Sequence, residues 1–530
     1  MQRQNQSSHS IKQSTLILFI LIVVLAAFSR FYALDRIPPG VWIDEAWKAN
    51  VGLEAARTGN FRVFYAGSQG REGLWINLLG IAEVTFGVNP FALRFWAALT
   101  GTLTVVFLYL LTRHLFSNRI ALFATWFLAT SFWHLNFSRI AFRAILVPFL
   151  MTASLFLLLR AWREQGQTAR NVSSYLAALA GGILFGLGFH TYIAFRIAPL
   201  FVAVVLILEY LRGRTQGEVT KRWFVLTGVW LVAAVVTALP IGLYSLHHPQ
   251  AFFQRAASVG MLSRHFSLWE FDVVLSRTLA MFNIRGDTNW RHNLAGSPEL
   301  LFPAGILFLM GLAMAVRRAF QEGASAISHR LAVAWFVIFL LPGILSYEGF
   351  PHAIRTIGVV PPVFVFAGLG ADWLLERLKE RRTFRWVFLV LVVLTGAVEG
   401  YRYFGVWARR PEVAAAFCQP LVRIGQYLNH LPKEMPRYVV VNETGELMPH
   451  TNPDGSEKLI PMQAQVVMFV TREDSQVTYL WPEEVRNTHF ARGSVIVPLR
   501  PEKKLFEDLA QRGLKIREVS RGDFTAVVVE

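Results

Sequence analysis

The sequence VWIDEA (residues 41–46) decides the fold class, because it places two adjacent carboxylates shortly after a hydrophobic segment. Residues 14–28 are almost purely apolar, which predicts a transmembrane helix. Residues 35–40 then end that helix, since two consecutive prolines remove backbone donors and a glycine accommodates a turn. We therefore expect Asp44 and Glu45 at or just beyond the outer membrane surface. Acidic residues held there indicate a functional site. The alternative, an N-terminal cap of the following helix, is compatible with such a site.

The composition is that of a multi-pass membrane protein. Hydrophobic residues make up 54% of the 530 residues and charged residues 16%, whereas a soluble protein carries about 25% charged residues. The net charge of +17 comes from Lys and Arg in short loops between apolar segments, as in cytoplasmic loops of membrane proteins. We therefore expect membrane lipids and no nucleic acid as partners. The single cysteine, Cys418, excludes an intrachain disulfide and a cysteine-based metal site.

Apolar runs of nearly 20 residues predict eleven transmembrane helices. The predicted helices cover residues 14–34, 91–112, 119–135, 143–160, 174–191, 195–211, 223–246, 299–316, 331–347, 354–375 and 384–404. Five Arg-rich loops alternate onto one side, which the positive-inside rule identifies as the cytoplasm; they are residues 113–119, 160–170, 212–222, 317–330 and 376–385. We predict a protein of the plasma (inner) membrane with a cytoplasmic N-terminus and an extracytoplasmic C-terminal region.

The outward-facing regions include two long loops and a separate C-terminal domain. The loop of residues 35–90 holds two amphipathic segments, expected to lie along the interface, and residues 247–298 form the second loop. From about residue 405 to 530 the sequence predicts a small α/β domain, with a helix at about 502–512. Its predicted strands are residues 438–441, 465–470, 494–497 and 524–529. The predicted fold is thus an α-helical membrane domain, residues 1–404, followed by an extracytoplasmic α/β domain.

Four stretches carry a resemblance to a known family. They are WIDEA (residues 42–46), REGLW (71–75), GDTNWRHN (286–293) followed by GSP (296–298), and PHAIR (351–355) followed by PP (361–362). With a helix before the first stretch and many helices after it, the chain resembles the GT-C glycosyltransferases. Within that superfamily it is most similar to the protein O-mannosyltransferases and to the bacterial transferases that place aminoarabinose on lipid A. The resemblance covers roughly residues 14–404 and leaves the C-terminal domain unassigned.

The resemblance implies a GT-C fold and a polyprenyl-phosphate sugar donor. It also implies sugar transfer on the outer face with inversion at the anomeric carbon, with the aspartate of the first loop as general base. The sequence departs from the family pattern in two places. Gly73-Leu74 replaces the Pro-Pro pair after Glu72, and the loop before the fourth helix, residues 137–143, lacks a carboxylate. The sugar (mannose or another hexose) and the acceptor (protein, lipid or glycan) therefore stay open.

The acidic residues of the first outward loop are the candidates for catalysis. Attack by a hydroxyl on an anomeric carbon needs a base, and a partly desolvated carboxylate can serve. Asp44 is the candidate base, with a helix cap as the alternative. Glu45 is a second catalytic candidate, which would orient Lys48 or an arginine or bind the acceptor. Glu72 is either a further substrate-binding acid or a helix cap.

Arginines at outward helix ends are the candidates for binding the donor phosphate, because guanidinium groups offer a fixed charge and paired donors. These are Arg196 and Arg355, which we favour, and Arg139 and Arg143, together with Tyr192 beside Arg196. Four arginines on the outward side run against the positive-inside rule, which favours a function. The alternative is that they extend to lipid headgroups.

The second long loop supplies further candidates for substrate binding: Asp287, Arg291, His292, Asn293 and, from the fourth stretch, His352. The alternative is a structural loop rich in turns. His190, His292 and His352 could ligate a divalent metal together with Glu72 or Asp287. Because these residues lack the dense spacing of a metal motif, we expect no cofactor.

Two other classes of function compete with a glycosyltransferase. A transporter or lipid flippase would show internal repeats and polar residues in the middle of the membrane. This sequence has no evident repeat, and its polar residues gather at one face. The other alternative is a non-catalytic assembly subunit whose outward domain binds partners.

Overall fold

The computed structural model describes residues 2–67, 70–163, 172–250, 260, 267–346, 349–452, 454–471 and 476–530, with the backbone alone for 2–12, 324 and 325. Residues 164–170 of the predicted loop 160–170, and much of 251–266 in the second outward loop, lie outside the described residues. The chain forms two compact units. The first comprises Met1–Tyr32, Val63–Trp75 and Arg94–Trp407. The second comprises Ala33–Arg62, Ile76–Leu93 and Ala408–Glu530.

The chain is predominantly helical. From the N-terminus to the end of the membrane region, the main helices are Gln2–Phe31, Ile43–Thr58, Gly73–Phe86, Pro90–Leu115, Asn118–Thr130, Phe132–Phe137, Leu146–Arg163, Val172–Gly188, Ala198–Thr215, Lys221–His247, Leu268–Ala280, Phe302–Ala319, Ala324–Ile344, Val360–Arg377 and Arg382–Gly400. Among the described residues, nine helical segments are long and apolar enough to cross a membrane. The α-helical, polytopic class predicted from the sequence is therefore confirmed.

Each of the eleven intervals predicted to span the membrane contains a helix. Two of these helices, Asn118–Thr130 with 13 residues and Val172–Gly188 with 17 residues, are shorter than the length of about 20 residues that crosses a bilayer. The number of crossings therefore stays a prediction.

Long-range hydrogen bonds from buried side chains fix the loops of the first unit. The indole of Trp75, which is fully buried, donates to the carbonyl of Ala141 at 3.0 Å and so ties residues 71–75 to the loop before Arg143. The short helix Phe132–Phe137 makes two more such links. Its Trp133 donates to Ala353 O at 3.3 Å, and its Asn136 donates to Arg291 O at 2.7 Å.

The second unit contains a five-stranded mixed sheet. In spatial order its strands are Val477–Leu480, Arg437–Val440, Val495–Pro498, Thr525–Val529 and Ile516–Ser520. The first three strands are parallel, and the last two complete the sheet with antiparallel pairing. Helix Lys503–Gln511 packs its apolar face, which includes Leu509, against Val440, Ile496 and Val527 of the sheet. The predicted small α/β fold of this region is therefore confirmed.

One predicted strand is wrong. Residues 465–470 lie in the helix Ala464–Thr471, which contacts helix Gln419–Asn429 and helix Ile43–Thr58. A short run in which five of six residues are apolar fits a buried strand or a buried helix equally well. Here helices on two sides cover the segment, so that a helix that is apolar nearly all round is stable. Asn50 fixes its position by donating to the carbonyl of Gln465 at 3.0 Å.

Glycines set the packing of the helix that carries Asp44. Helix Ile43–Thr58 crosses helix Gly73–Phe86 at Gly52 and Gly80. A Cβ on Gly52 would lie 2.3 Å from the carbonyl oxygen of Ile76, and one on Gly80 would lie 1.9 Å from the carbonyl oxygen of Gly52. The two backbones therefore meet without side chains between them.

Candidate active site

A buried carboxylate, Glu72, joins two arginines in the first unit. Glu72 lies in the short strand Arg71–Glu72, which pairs with Phe64–Tyr65. Its side chain is 4% exposed. Nη2 of Arg143 lies 3.3 Å from Oε2, and Nη2 of Arg196 donates to Oε1 at 3.1 Å. Each carboxylate oxygen thus faces its own guanidinium, so this group of three side chains, the Glu72 cluster, carries two positive charges and one negative charge.

The helices place both arginines at equivalent positions. Arg143 begins the turn before helix Leu146–Arg163, and Arg196 lies in the turn before helix Ala198–Thr215. The opposite ends of both helices carry further arginines, in the loops predicted to be cytoplasmic. The Glu72 cluster therefore lies at the helix ends away from those loops, at two N-termini whose dipoles favour an anion. The guanidinium of Arg143 also lies 5.8 Å from the centre of the Tyr192 ring.

Arg139, also predicted to bind the donor phosphate, makes different contacts. Its guanidinium is fully buried and donates to three carbonyl oxygens at the end of the first helix, those of Ser29, Arg30 and Tyr32, at 2.8–2.9 Å. The last carbonyls of a helix have no partners within the helix. These contacts favour a structural role for Arg139.

The second long loop and the fourth stretch meet at Asp287. Nδ1 of His292 lies 2.8 Å from Oδ2 of Asp287, and Nδ1 of His352 lies 3.8 Å from the same oxygen. The backbone N–H of Ala353 also donates to Oδ2, at 2.9 Å, and that of Asn289 donates to Oδ1 at 2.8 Å. The structure therefore brings together three predicted site residues that are up to 65 positions apart in the sequence.

Burial and charge set the protonation of this group. Burial alone would raise the pKa of Asp287, but the hydrogen bond and charge of His292, together with His352, hold it below its ordinary value. Burial lowers the pKa of His352 well below its ordinary value, and the charges of His292, Arg355 and Arg291 lower it further. The group thus combines an ionised carboxylate with a neutral imidazole. Arg291 and Arg355 act on this group through their charges.

Asn293 and Glu299 brace the loop around Asp287. The amide of Asn293 donates to the carbonyl of Ser297 at 2.5 Å and to Oε1 of Glu299 at 3.2 Å. The same oxygen accepts the N–H of Asp287 at 3.0 Å. Burial raises the pKa of Glu299 well above its ordinary value. The sequence analysis missed Glu299. The sequence feature that could have identified it is its position, directly after Ser297-Pro298 and before an apolar helix.

In the second unit, Asp44 and Glu45 occupy the first turn of helix Ile43–Thr58. Oδ2 of Asp44 lies 3.6 Å from the ammonium of Lys48, with the aspartate side chain 32% exposed and the lysine side chain 7% exposed. Glu45 is fully buried, and its carboxylate accepts the backbone N–H of Trp42 at 3.0 Å. Glu45 therefore caps the N-terminus of the helix, which is the alternative role that the sequence analysis considered. The carboxylate of Asp44, in contrast, is partly exposed and lies next to the ammonium group of Lys48.

The fold and sequence resemble those of transferases that use lipid-linked sugars. The family model described as dolichyl-phosphate-mannose-protein mannosyltransferase matches residues 74–241. Two curated relatives from Pseudomonas fluorescens (strain Pf-5) are undecaprenyl phosphate-alpha-4-amino-4-deoxy-L-arabinose arabinosyl transferases. Transferase 2 is 29% identical over 46% of this chain and 40% of its own length. Transferase 1 is 25% identical over 68% of this chain and 61% of its own length. The chain thus spans less than two thirds of either relative.

Solved structures define the fold over nearly the whole chain. The crystal structure of ArnT from Cupriavidus metallidurans in the apo state superposes with a TM-score of 0.58 at 14% identity, covering 98% of both chains. The same protein bound to undecaprenyl phosphate gives a TM-score of 0.57 at 14% identity, covering 97% of both chains. At this level of identity the comparison shows the fold, which is the one that the sequence resemblance implies. The chain is therefore a polytopic membrane protein with the GT-C fold.

Proposed function

We propose that this protein is an inverting glycosyltransferase. It would transfer a sugar from a polyprenyl-phosphate donor to a hydroxyl acceptor at the outer face of the membrane. The Glu72 cluster carries the proposal, because two guanidinium groups at the N-terminal ends of two apolar helices form a positively charged site where a lipid phosphate would lie. The bound undecaprenyl phosphate in the similar ArnT structure and the lipid-linked donor in the names of both curated relatives support this chemistry.

The reaction is a single displacement at the anomeric carbon. The acceptor oxygen forms the new C–O bond while the bond from the anomeric carbon to the phosphate oxygen breaks. The polyprenyl phosphate leaves with the electron pair, and the acceptor proton passes to a base. Arg143 and Arg196 stabilise the charge that develops on the leaving phosphate, which is a large effect in a site shielded from water. Glu72 positions both guanidiniums and limits their mutual repulsion.

Asp44 is proposed as the base. Its carboxylate is partly exposed and lies at the start of a helix, where the helix dipole stabilises a negative charge. Lys48 on the next turn holds it in place. Glu45 is assigned a positioning role through its bond to Trp42. The outward location of this chemistry rests on the Arg-rich loops, which indicate the cytoplasmic side.

Replacing Asp44 by Asn tests this assignment. The change keeps the size of the side chain and removes its basicity, so turnover should fall by about 10²–10⁴-fold, the usual contribution of a general base. Binding of polyprenyl phosphate should be unchanged. The matched control is Asp35→Asn, because Asp35 is exposed and pairs with the neighbouring Arg36; this variant should turn over like the wild type. An Asp44→Asn variant that keeps more than about a tenth of the activity would reduce Asp44 to a helix cap.

The similar proteins differ in the sugar that their names give. The family model names mannose, whereas the curated relatives name 4-amino-4-deoxy-L-arabinose. We propose a hexose, since the family model that matches residues 74–241 names mannose and residues 137–143 lack the carboxylate that the aminoarabinose transferases place in this loop. A donor panel that contains both sugars separates these alternatives.

A further inference from the structure

We propose that the C-terminal region of the chain positions the base of the reaction, and that it does so through a contact between Asn50 and Gln465. This inference rests on the proposed role of Asp44 as the base. The helix Ile43–Thr58, which carries Asp44 in its first turn, belongs to the same compact unit as residues 408–530. The C-terminal region is thus packed with the segment that supplies the base.

A buried pair of amide side chains joins this helix to the C-terminal region. Nδ2 of Asn50 donates to the backbone carbonyl of Gln465 at 3.0 Å and to its side-chain Oε1 at 2.8 Å. Both residues are buried, with exposed fractions of 6% and 5%. Because water does not replace these hydrogen bonds, the loss of one partner leaves buried polar atoms unsatisfied. The contact therefore resists separation of the two helices.

Both residues stand out from the sequence around them. Gln465 is the only amide side chain in the helix Ala464–Thr471, whose sequence is AQVVMFVT. Asn50 lies in the middle of its helix, although asparagine is a weak helix former. Apolar side chains at both positions would pack without favouring one alignment of the two helices. A single buried polar contact specifies that alignment, which is the property that a positioning contact requires.

Two glycines hold the same helix through close backbone contacts on either side of Asn50. Gly40, just before the helix begins, has a φ of +81°, and a Cβ there would lie 2.2 Å from the carbonyl oxygen of Phe417. Gly52 lies against Gly80, as described above. Neither contact leaves room for a side chain. The helix is therefore fixed at its entrance by the C-terminal region and in its middle by Asn50.

The distance along the helix links this contact to the chemistry. Asn50 follows Asp44 by six residues, which corresponds to about 9 Å along a helix axis. A helix is stiff over this length, so a shift at Asn50 also moves the first turn. A misplacement of about 1 Å can reduce turnover by about 100-fold. The competing explanation is that the pair only stabilises the fold, in which case its loss would leave the turnover of each folded molecule unchanged.

Asn50→Ala in the full-length protein in detergent tests the proposal. It removes both hydrogen bonds, so kcat per folded molecule should fall by about ten- to a hundredfold. The affinity for undecaprenyl phosphate should be unchanged, because the Glu72 cluster belongs to the first unit. Gln465→Ala removes only the bond to Oε1, so its loss should be smaller. The matched control is Asn429→Ala, because Asn429 donates to the carbonyl of Val470 on the same C-terminal helix at 2.8 Å; it should turn over like the wild type.

A double variant separates positioning from stability. If Asn50 acts through the base, Asn50→Ala should have no further effect on turnover when Asp44→Asn is already present, since residues that act as a unit are not additive. Equal losses of turnover in the two backgrounds would overturn the proposal, as would wild-type turnover in both Asn50→Ala and Gln465→Ala.

Hydrogen exchange followed by mass spectrometry tests the anchoring without any sugar donor. Asn50→Ala should speed amide exchange in residues 43–58, because local opening becomes easier when a buried contact is lost, whereas Asn429→Ala should leave exchange there unchanged. Unchanged exchange in Asn50→Ala would overturn the proposal. A wild-type protein that uses no donor would contradict the proposed function instead, and the exchange result would still decide whether the amide pair anchors the helix.

Discussion

Removing one arginine of the Glu72 cluster should weaken binding of the lipid phosphate while the protein stays folded. Arg196→Ala lowers the charge of the cluster from +1 to zero, counting Arg143, Arg196 and Glu72. The loss of a charge-assisted hydrogen bond to phosphate costs about 1.5–3 kcal/mol, which is about ten- to a hundredfold in affinity. Arg143 would still lie 3.3 Å from Glu72, so the buried carboxylate keeps a counter-charge. Arg196→Lys keeps the charge but loses the paired donors, so its affinity should be intermediate.

Combined variants separate binding from stability. Without both arginines, Glu72 would be a buried charge with neither ion-pair partner, which costs about 3–5 kcal/mol of stability. Adding Glu72→Ala to that double variant should restore much of the stability but not the affinity. The assay is equilibrium binding of undecaprenyl phosphate to purified protein, with the thermal unfolding of each variant measured in parallel. Arg212→Ala is the control, because Arg212 pairs with Glu209 at the other end of the same helix. Unchanged affinity in both Arg143→Ala and Arg196→Ala would refute the phosphate site.

Three further predictions test other parts of the structure. Glu45→Gln should keep the hydrogen bond to the N–H of Trp42 and most of the activity. Glu45→Ala should lower the free energy of unfolding by about 1 kcal/mol. Equal stability of the two variants would contradict the capping role of Glu45. In Gly286→Ala, the new Cβ would lie 2.3 Å from a backbone carbonyl oxygen. The free energy of unfolding, measured by chemical denaturation, should therefore fall by about 1–3 kcal/mol. In the control Gly242→Ala, the new Cβ would meet open space, so this variant should lose no stability. Equal losses of stability in the two variants would contradict the close backbone contact at Gly286. A protease-cleavable tag after Glu530 should be cut from outside intact cells, and a protected tag would reverse the proposed orientation.

Hydropathy predicted the membrane helices well, because each helix corresponds to one continuous apolar segment of the sequence. Each interval of nearly 20 apolar residues contains a helix, and the arginine-rich segments fall at helix ends. The strand prediction for residues 465–470 failed, since a short run with five apolar residues does not reveal whether a sheet or two helices will cover it. The strands Leu447–Thr451 and Glu457–Pro461, which form a hairpin, also escaped prediction because their exposed positions give no clear alternation.

The candidate sites were only partly predictable, because residue types can be read from a sequence but their partners cannot. Among the arginines at outward helix ends, the sequence analysis favoured Arg196 and Arg355. Only the structure separates Arg143 and Arg196, which share Glu72, from Arg139, which binds carbonyl oxygens of the first helix. Likewise, His352 lies 65 residues from Asp287 in the sequence, and the sequence analysis expected no metal. Only the structure shows the short distances between Asp287, His292 and His352.

If the protein consumes a polyprenyl-phosphate sugar, the purified protein must release the polyprenyl phosphate. Purified protein is mixed with undecaprenyl-phosphate donors that carry different sugars, including mannose and 4-amino-4-deoxy-L-arabinose, in the presence of membrane extract as a source of acceptors. Release of undecaprenyl phosphate is followed with time. We predict release from at least one donor, an inverted anomeric configuration in the product, and a rate reduced by about 10²–10⁴-fold in Asp44→Asn. Folded wild-type protein that releases undecaprenyl phosphate from no donor would contradict the account.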